Sequence, residues 1–248
     1  MGASKKTQMK HLVPDWAEQM FLNASKISGG RGAAWILPLC AIAVTGARPA
    51  ALEKGIQFSI EERGGIPHLV ATIPGVKLKD NAGQDWYSIM WNFKDSRLRG
   101  RQELMAILVA LHQTPGQMLT IQYDAEAIST RLRELSKSIW PRKKYHISAY
   151  SYREAFARAA KTAGVEKSEL ACAMGHLSER SQRQYDGARK KSRSGKQPKR
   201  PFTLAIAAQP VKKERPQMER FKVMTLRKKS AAAKSERRAP SKKLKIFL

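Results

Sequence analysis

Along residues 12–188, hydrophobic residues recur either at the spacing of a helix or in short runs typical of strands. Six segments carry apolar residues at helical spacing, at 15–27, 32–44, 101–113, 124–140, 149–164 and 166–175. Between the second and third of these, IQFSIEE, IPHLVATIP and DWYSIMW are rich in β-branched and aromatic residues and are separated by RGG and DNAGQ. The order of helices, sheet and helices predicts an α+β domain that is mostly helical with a small antiparallel sheet.

The pattern changes at both ends of this domain. Residues 1–11 form a polar lead, and residues 189–248 form a basic tail of low complexity that we expect to be largely disordered. Within the tail, FTLAIAA at 202–208 is the apolar segment suited to docking on a neighbouring protomer. The sequence therefore predicts one domain, at 12–188, followed by a tail.

The strongly positive charge of the chain indicates what kind of partner it binds. The chain has 47 Lys and Arg against 20 Asp and Glu, a net charge of +27, and residues 186–248 hold 21 basic and 4 acidic side chains. Such a field attracts polyanions, which favours nucleic acid over the alternative of an anionic membrane surface. The apolar run at 32–44 is too short to span a bilayer and contains Pro38, and no apolar signal region precedes it. We expect no membrane association and a cytoplasmic, nucleoid-associated protein.

The two cysteines define no further chemistry. Cys40 and Cys172 lie in apolar helical surroundings and form neither a disulfide framework nor a zinc site. We expect reduced thiols, no metal and no cofactor.

Charged and reactive side chains recur where the predicted elements end. TGARP sets Arg48 just past the buried helix, and IPGVKLKD puts Lys77 and Lys79 at a turn of the sheet. YSYR places Arg153 near a helix start, and GHLSERSQRQY puts His176 nine residues ahead of Tyr185. This order of Arg, Lys, Arg, His and Tyr resembles the catalytic domain of the tyrosine recombinases, the phage integrase family.

The local sequences resemble that family too. TGARP is similar to its first-arginine box, YSYR to its His-x-x-Arg box and MGHLSERSQRQY to its Gly-His box, so the resemblance covers about residues 12–188. It implies that Tyr185 attacks DNA to form a 3′-phosphotyrosine and that Lys77 protonates the departing 5′-oxygen, without ATP. Lys79 stays open as the alternative to Lys77.

Elementary chemistry agrees with these roles. Breaking a phosphodiester without a metal needs a nucleophile, a proton donor for the leaving oxygen and fixed positive charge around the transition state. Arg48 and Arg153 can each offer planar bidentate donors to a phosphate, which Lys cannot reproduce, and His176 can donate a further hydrogen bond.

Three positions depart from the family pattern. Tyr150 stands where the family usually has His, so general-base work there passes to a phenol or is lost. Glu154 stands where the family commonly has His, and Ala51 where it commonly has Glu. Neither position contacts the reacting atoms in the family, so these changes affect how the catalytic side chains are supported and oriented more than the reaction itself. Only about a dozen residues precede the first predicted helix, whereas the family usually carries a core-binding domain there. The chain can therefore be a catalytic-domain fragment, a naturally minimal enzyme or a remnant that binds DNA without recombining it, and the sequence leaves these three interpretations open.

The resemblance implies a site-specific recombinase that integrates or excises a mobile element of bacterial or phage type. Its expected partners are double-stranded DNA, further copies of the chain in a tetramer on paired sites, and accessory DNA-bending proteins. Two alternatives are a type IB topoisomerase-like enzyme, which acts as a monomer, and a non-catalytic DNA-binding remnant of the same fold.

Overall fold

The structure is a computed structural model, and it describes residues 12–27, 33–76, 83–95, 101–185 and 200–213. The chain divides after Lys212 into two units, and all described residues except Lys213 belong to the first. Lys77, Lys79 and most of the tail at 189–248 lie outside the described residues.

Each segment with a clear hydrophobic period forms the predicted element. The antiparallel strands are β1 (Ile56–Arg63), β2 (Ile66–Pro74) and β3 (Trp86–Asn92). The helices of the predicted segments are α1 (Trp16–Ile27), α2 (Ile36–Thr45), α4 (Gln102–His112), α5 (Ala125–Ile139), α6 (Ala149–Thr162) and α7 (Lys167–Ala173). The predicted class, mixed helix and antiparallel sheet, is confirmed.

Helix α2 lies at the centre of the helical layer. Seven of its ten residues are buried, and it packs against α1, α4 and α6. Pro38 falls in its first turn, where the missing N–H has no intrahelical partner to lose. Among the described residues, no helix combines the length and the apolar character needed to cross a membrane.

Several short elements were not predicted, and a helix and a strand among them extend the domain. Helix α3 (Pro49–Lys54) has only six residues and begins with proline at its first position, where the fixed φ of proline suits a helix start. Strand β4 (Met118–Ile121) pairs antiparallel with β1, where Ile121 lies opposite Ile56. Both are too short for a periodic signal and depend on their neighbours.

The tail contributes a strand to the sheet. Strand β5 (Leu204–Ala207) pairs antiparallel with β3, which completes the order β4-β1-β2-β3-β5. Phe202, 2% exposed, stacks on Phe156 of α6 with ring centroids 5.6 Å apart. The expectation of disorder therefore does not hold for residues 200–213, because this apolar segment pairs with the open edge of β3. Docking of residues 202–208 on a neighbouring protomer stays a prediction.

Phe202 should anchor this segment. We predict that Phe202→Ala lowers the free energy of unfolding by about 3 kcal/mol, because it removes a buried aromatic ring. Leu204→Ala, in the same segment but 41% exposed, should lower it by less than about 1 kcal/mol. Urea titrations of both variants test this, and equal losses would show that the segment is not anchored by its aromatic residue.

Candidate active site

The TGARP segment forms a tight turn between α2 and α3. Gly46 ends α2 in the left-handed conformation (φ 61°), and its N–H bonds the Ile42 carbonyl at 2.9 Å. Thr45 Oγ1 accepts a hydrogen bond from the Ala47 N–H at 3.1 Å. The turn places Arg48 at the N-cap position of α3, half-buried.

Arg153 of α6 is almost fully buried, with 1% of its surface exposed. Its Nη1 donates to the Gly46 carbonyl at 2.8 Å, and its Nη2 donates to the Met174 carbonyl at 2.7 Å. Both carbonyls lie at helix C-termini, where they lack intrahelical partners and carry partial negative charge. The guanidinium thus joins the end of α2 to the end of α7.

The other edge of Arg153 faces the predicted His and Tyr. Nε donates to Tyr185 Oη at 3.0 Å, and Nη2 lies 3.1 Å from His176 Nε2. Nε and Nη2 point along one edge of the guanidinium, which is an edge that binds phosphate in bidentate fashion. The predicted nucleophile therefore lies beside a phosphate-binding edge.

The Gly175-His176 pair is a Schellman helix end. The Gly175 N–H bonds the Cys172 carbonyl at 2.9 Å, and the His176 N–H bonds the Ala171 carbonyl at 2.8 Å. Gly175 is left-handed (φ 65°). This motif ends α7 and turns the His176 side chain, which is 4% exposed, towards Arg153.

Tyr87 of β3 packs against this glycine. A Cβ at Gly175 would lie 2.5 Å from the Tyr87 ring, so no side chain fits there without displacing the ring. Burial raises the pKa of Tyr87, and the positive charges of Arg153 and Arg48 oppose that rise. Tyr87 is thus a buried phenol within the electrostatic reach of both arginines. It has no sequence signal beyond its position on the buried face of a strand.

Tyr185 ends a short 3-10 helix, Glu179–Tyr185. Its ring stacks near His176, with centroids 6.1 Å apart and planes inclined by 20°. Lys161 of α6 donates to the Gln182 carbonyl at 2.7 Å and so ties this short helix to the helix that bears Arg153.

The two guanidiniums leave the site positive. Burial lowers the pKa of Arg48, and the neighbouring charge of Arg153 lowers it further. The phenols of Tyr185, Tyr87 and Tyr150 act in the opposite direction and raise the pKa of Arg48. Arg153 donates to the Tyr185 hydroxyl and to the Gly46 carbonyl, which are both neutral groups. Close like charges with neutral neighbours favour binding of an anion.

The structure brings together four of the six predicted site residues: Arg48, Arg153, His176 and Tyr185. Tyr150 lies in the first turn of α6, is 50% exposed, and acts electrostatically on Arg48. Lys77 lies outside the described residues. Ala51 and Glu154, the two other positions that depart from the family pattern, are both buried.

Gln84 is a further residue of the site that no sequence pattern identified. It is fully buried; its N–H bonds the Gly175 carbonyl at 3.1 Å, and adjacent Gly83 forms a β-bridge with His176. Its side chain exchanges two hydrogen bonds of 2.8 Å with the backbone of Gln209. Gln84 therefore links the His176 turn to the segment that follows β5.

The chain is similar to solved structures of two recombinases at low sequence identity. No protein-family model matches the chain, and no curated protein matches its sequence. The solved structure of XerA recombinase matches 72% of this chain and 60% of its own, at 16% identity and a TM-score of 0.47. The XerH site-specific recombinase, bound to its difH substrate in a pre-cleavage complex, matches 73% and 51%, at 16% identity and a TM-score of 0.48. The chain thus spans about half to three-fifths of these two proteins.

Two glycines allow a matched test of the His176 turn. Gly164 and Gly175 both end helices in left-handed Schellman motifs, but a Cβ at Gly164 meets nothing within 4 Å. We predict that each change to Ala costs about 1 kcal/mol of stability for the backbone conformation. Gly175→Ala should cost about 1–3 kcal/mol more because it displaces Tyr87. Urea unfolding measures both, and equal losses would rule out the Tyr87 contact.

Proposed function

We propose that this chain is the catalytic domain of a tyrosine recombinase, which breaks and rejoins DNA through a 3′-phosphotyrosine. One observation supports this most directly. Arg153 is buried with one edge on Tyr185 Oη and His176 Nε2, at 3.0 and 3.1 Å, although the three residues come from separate elements. A structural arginine would need acceptors, but it would not need a tyrosine and a histidine along its phosphate-binding edge.

The proposed reaction uses charge and position. Arg48 and Arg153 hold the non-bridging oxygens of the scissile phosphate and stabilise the charge that develops in the transition state. The Tyr185 oxygen attacks phosphorus, the bond to the 5′-oxygen breaks, and a lysine protonates that oxygen. The phosphotyrosyl bond keeps the energy of the broken bond, so the 5′-hydroxyl can attack it and reseal DNA.

The proposed proton donor is Lys77, with Lys79 as the alternative. Lys77 directly follows Val76, which packs on the core, and the described residues resume at Gly83, which bridges His176. Lys54 donates to the Gly75 carbonyl at 2.7 Å and fixes the end of β2. The described residues on both sides of the two lysines are thus held in place, and Gly83 lies at the His176 turn, which supports a role for one of these lysines.

The proposed partner is double-stranded DNA, and the basic tail adds phosphate contacts to it. Integration or excision of a mobile element on tetrameric paired sites is the leading form of the proposal, with accessory bending proteins and a nucleoid location. A type IB topoisomerase-like enzyme would instead relax supercoiled plasmid at a rate first order in protein. A remnant would bind DNA without forming any adduct.

We predict that Tyr185→Phe abolishes covalent attachment to DNA and leaves DNA affinity nearly unchanged, because only the nucleophilic oxygen is lost. The substrate is a pool of random-sequence duplexes with 5′-bridging phosphorothiolate linkages, whose thiolate leaving group makes cleavage irreversible. The measurement is the amount of adduct that resists detergent, with the attached peptide located by mass spectrometry.

Tyr123→Phe is the matched control, since Tyr123 packs on the core outside the site and should form adduct as the unmodified protein does. Adduct from Tyr185→Phe at the unmodified level would refute the nucleophile. DNA binding without adduct from the unmodified protein would favour the remnant.

A lysine that protonates the 5′-oxygen should become dispensable when the leaving group is a thiolate. We predict that Lys77→Ala slows cleavage of ordinary DNA on the order of 100-fold or more, and that the phosphorothiolate restores it to the unmodified rate. Lys79→Ala should gain no more from the sulfur than the unmodified protein does. The opposite pattern would transfer the role to Lys79.

A further inference from the structure

His176 faces nitrogen donors on both sides of its ring. Arg153 Nη2 lies 3.1 Å from His176 Nε2, and Gln182 Nε2 lies 3.0 Å from His176 Nδ1. All three groups are buried, at 4% exposure or less. A neutral imidazole has only one acceptor nitrogen, and a protonated one has none, so the two contacts cannot both be hydrogen bonds to His176.

The Arg153 contact decides which nitrogen accepts. A guanidinium is always protonated and has no acceptor, so a hydrogen bond from Nη2 requires a lone pair on His176 Nε2. His176 is then neutral with its hydrogen on Nδ1. The group opposite Nδ1 must therefore be an acceptor.

Gln182 can supply that acceptor. Its Oε1 is buried and has no hydrogen-bond partner among the described residues, which is costly for an amide oxygen. A half-turn of the side-chain amide exchanges Oε1 and Nε2, places Oε1 against Nδ1–H and satisfies both groups. The Lys161 bond to the Gln182 carbonyl holds the backbone of this residue in place.

We propose that Gln182 is a positioning residue that accepts from His176 Nδ1–H and thereby keeps a lone pair on His176 Nε2 for the hydrogen bond from Arg153. This rests on the proposed function. With Nη2 held by that lone pair, the guanidinium keeps its Nε on the Tyr185 hydroxyl and keeps one orientation beside the scissile phosphate.

The geometry supports this positioning role. Tyr185 Oη and His176 Nε2 accept from the same edge of Arg153, and the two rings stack with centroids 6.1 Å apart. Loss of the lone pair on Nε2 would therefore leave an N–H of the buried Arg153 without this acceptor, directly beside the Tyr185 hydroxyl.

The direct test is the tautomer of His176 in the free protein, by nitrogen-15 NMR of the imidazole ring. His176→Asn identifies the His176 signals among the five histidines. We expect the neutral Nδ1–H form, with an Nδ1–H proton protected from exchange with water. In Gln182→Leu that protected proton should be lost, and in Gln182→Glu it should persist because a carboxylate also accepts. Gln122→Leu, at an exposed glutamine whose side chain bonds the Glu53 carbonyl, should leave it unchanged.

Adduct formation tests the positioning of Arg153 separately. Gln182→Leu should lower the cleavage rate at saturating DNA on the order of 100-fold, because a misplaced guanidinium no longer fits the transition state, and Gln182→Glu should recover most of that rate. An Nε2–H tautomer in the unmodified protein, or an unaltered Nδ1–H proton in Gln182→Leu, would overturn the Gln182 contact. Normal cleavage by Gln182→Leu would overturn the role of that contact in positioning Arg153. If the unmodified protein forms no adduct while the tautomer is as expected, the proposed function fails and the Gln182 contact stands.

Discussion

The burial of the Arg153 guanidinium is the constraint on which the rest of the site depends. A charge that cannot be lost is enclosed with 1% of its surface exposed, so its N–H groups need acceptors that the fold must bring to it. They include carbonyls at the ends of α2 and α7, Nε2 of His176, Oη of Tyr185 and the hydroxyl of Tyr87. The three helices that meet here are therefore fixed relative to each other by one side chain.

Close backbone approach makes this arrangement possible. A Cβ at Gly46 would lie 2.8 Å from Phe156, and a Cβ at Gly175 would lie 2.5 Å from Tyr87. Each glycine ends a helix in the left-handed conformation while an aromatic ring packs on its backbone. Phe202 stacks in turn on Phe156, and Gln209 bonds Gln84 beside the His176 turn. The residues on either side of β5 thus support both sides of the site.

The neutral partners of Arg153 separate this site from an ordinary ion pair. Arg200 shows the ordinary case, since its Nη2 lies 2.7 Å from Glu169 Oε1 and the two charges cancel. Arg153 instead contacts carbonyls, phenols and an imidazole, so its charge and that of Arg48 stay available to an anion. The imidazole contact requires a lone pair on His176 Nε2, which connects the proposed phosphate site to the proposed role of Gln182.

The hydrophobic pattern of the chain was enough to predict the longer helices and the three central strands, because that pattern depends on which face of a helix or strand is buried. Family resemblance then selected Arg48, Arg153, His176 and Tyr185. That these four lie together could be seen in the folded chain alone, because their contacts join residues far apart in the sequence. The short elements α3, β4 and β5 required neighbours to form. Tyr87, Gln84 and Gln182 have no local signal, since packing and hydrogen bonds to distant backbone and side chains give them their place.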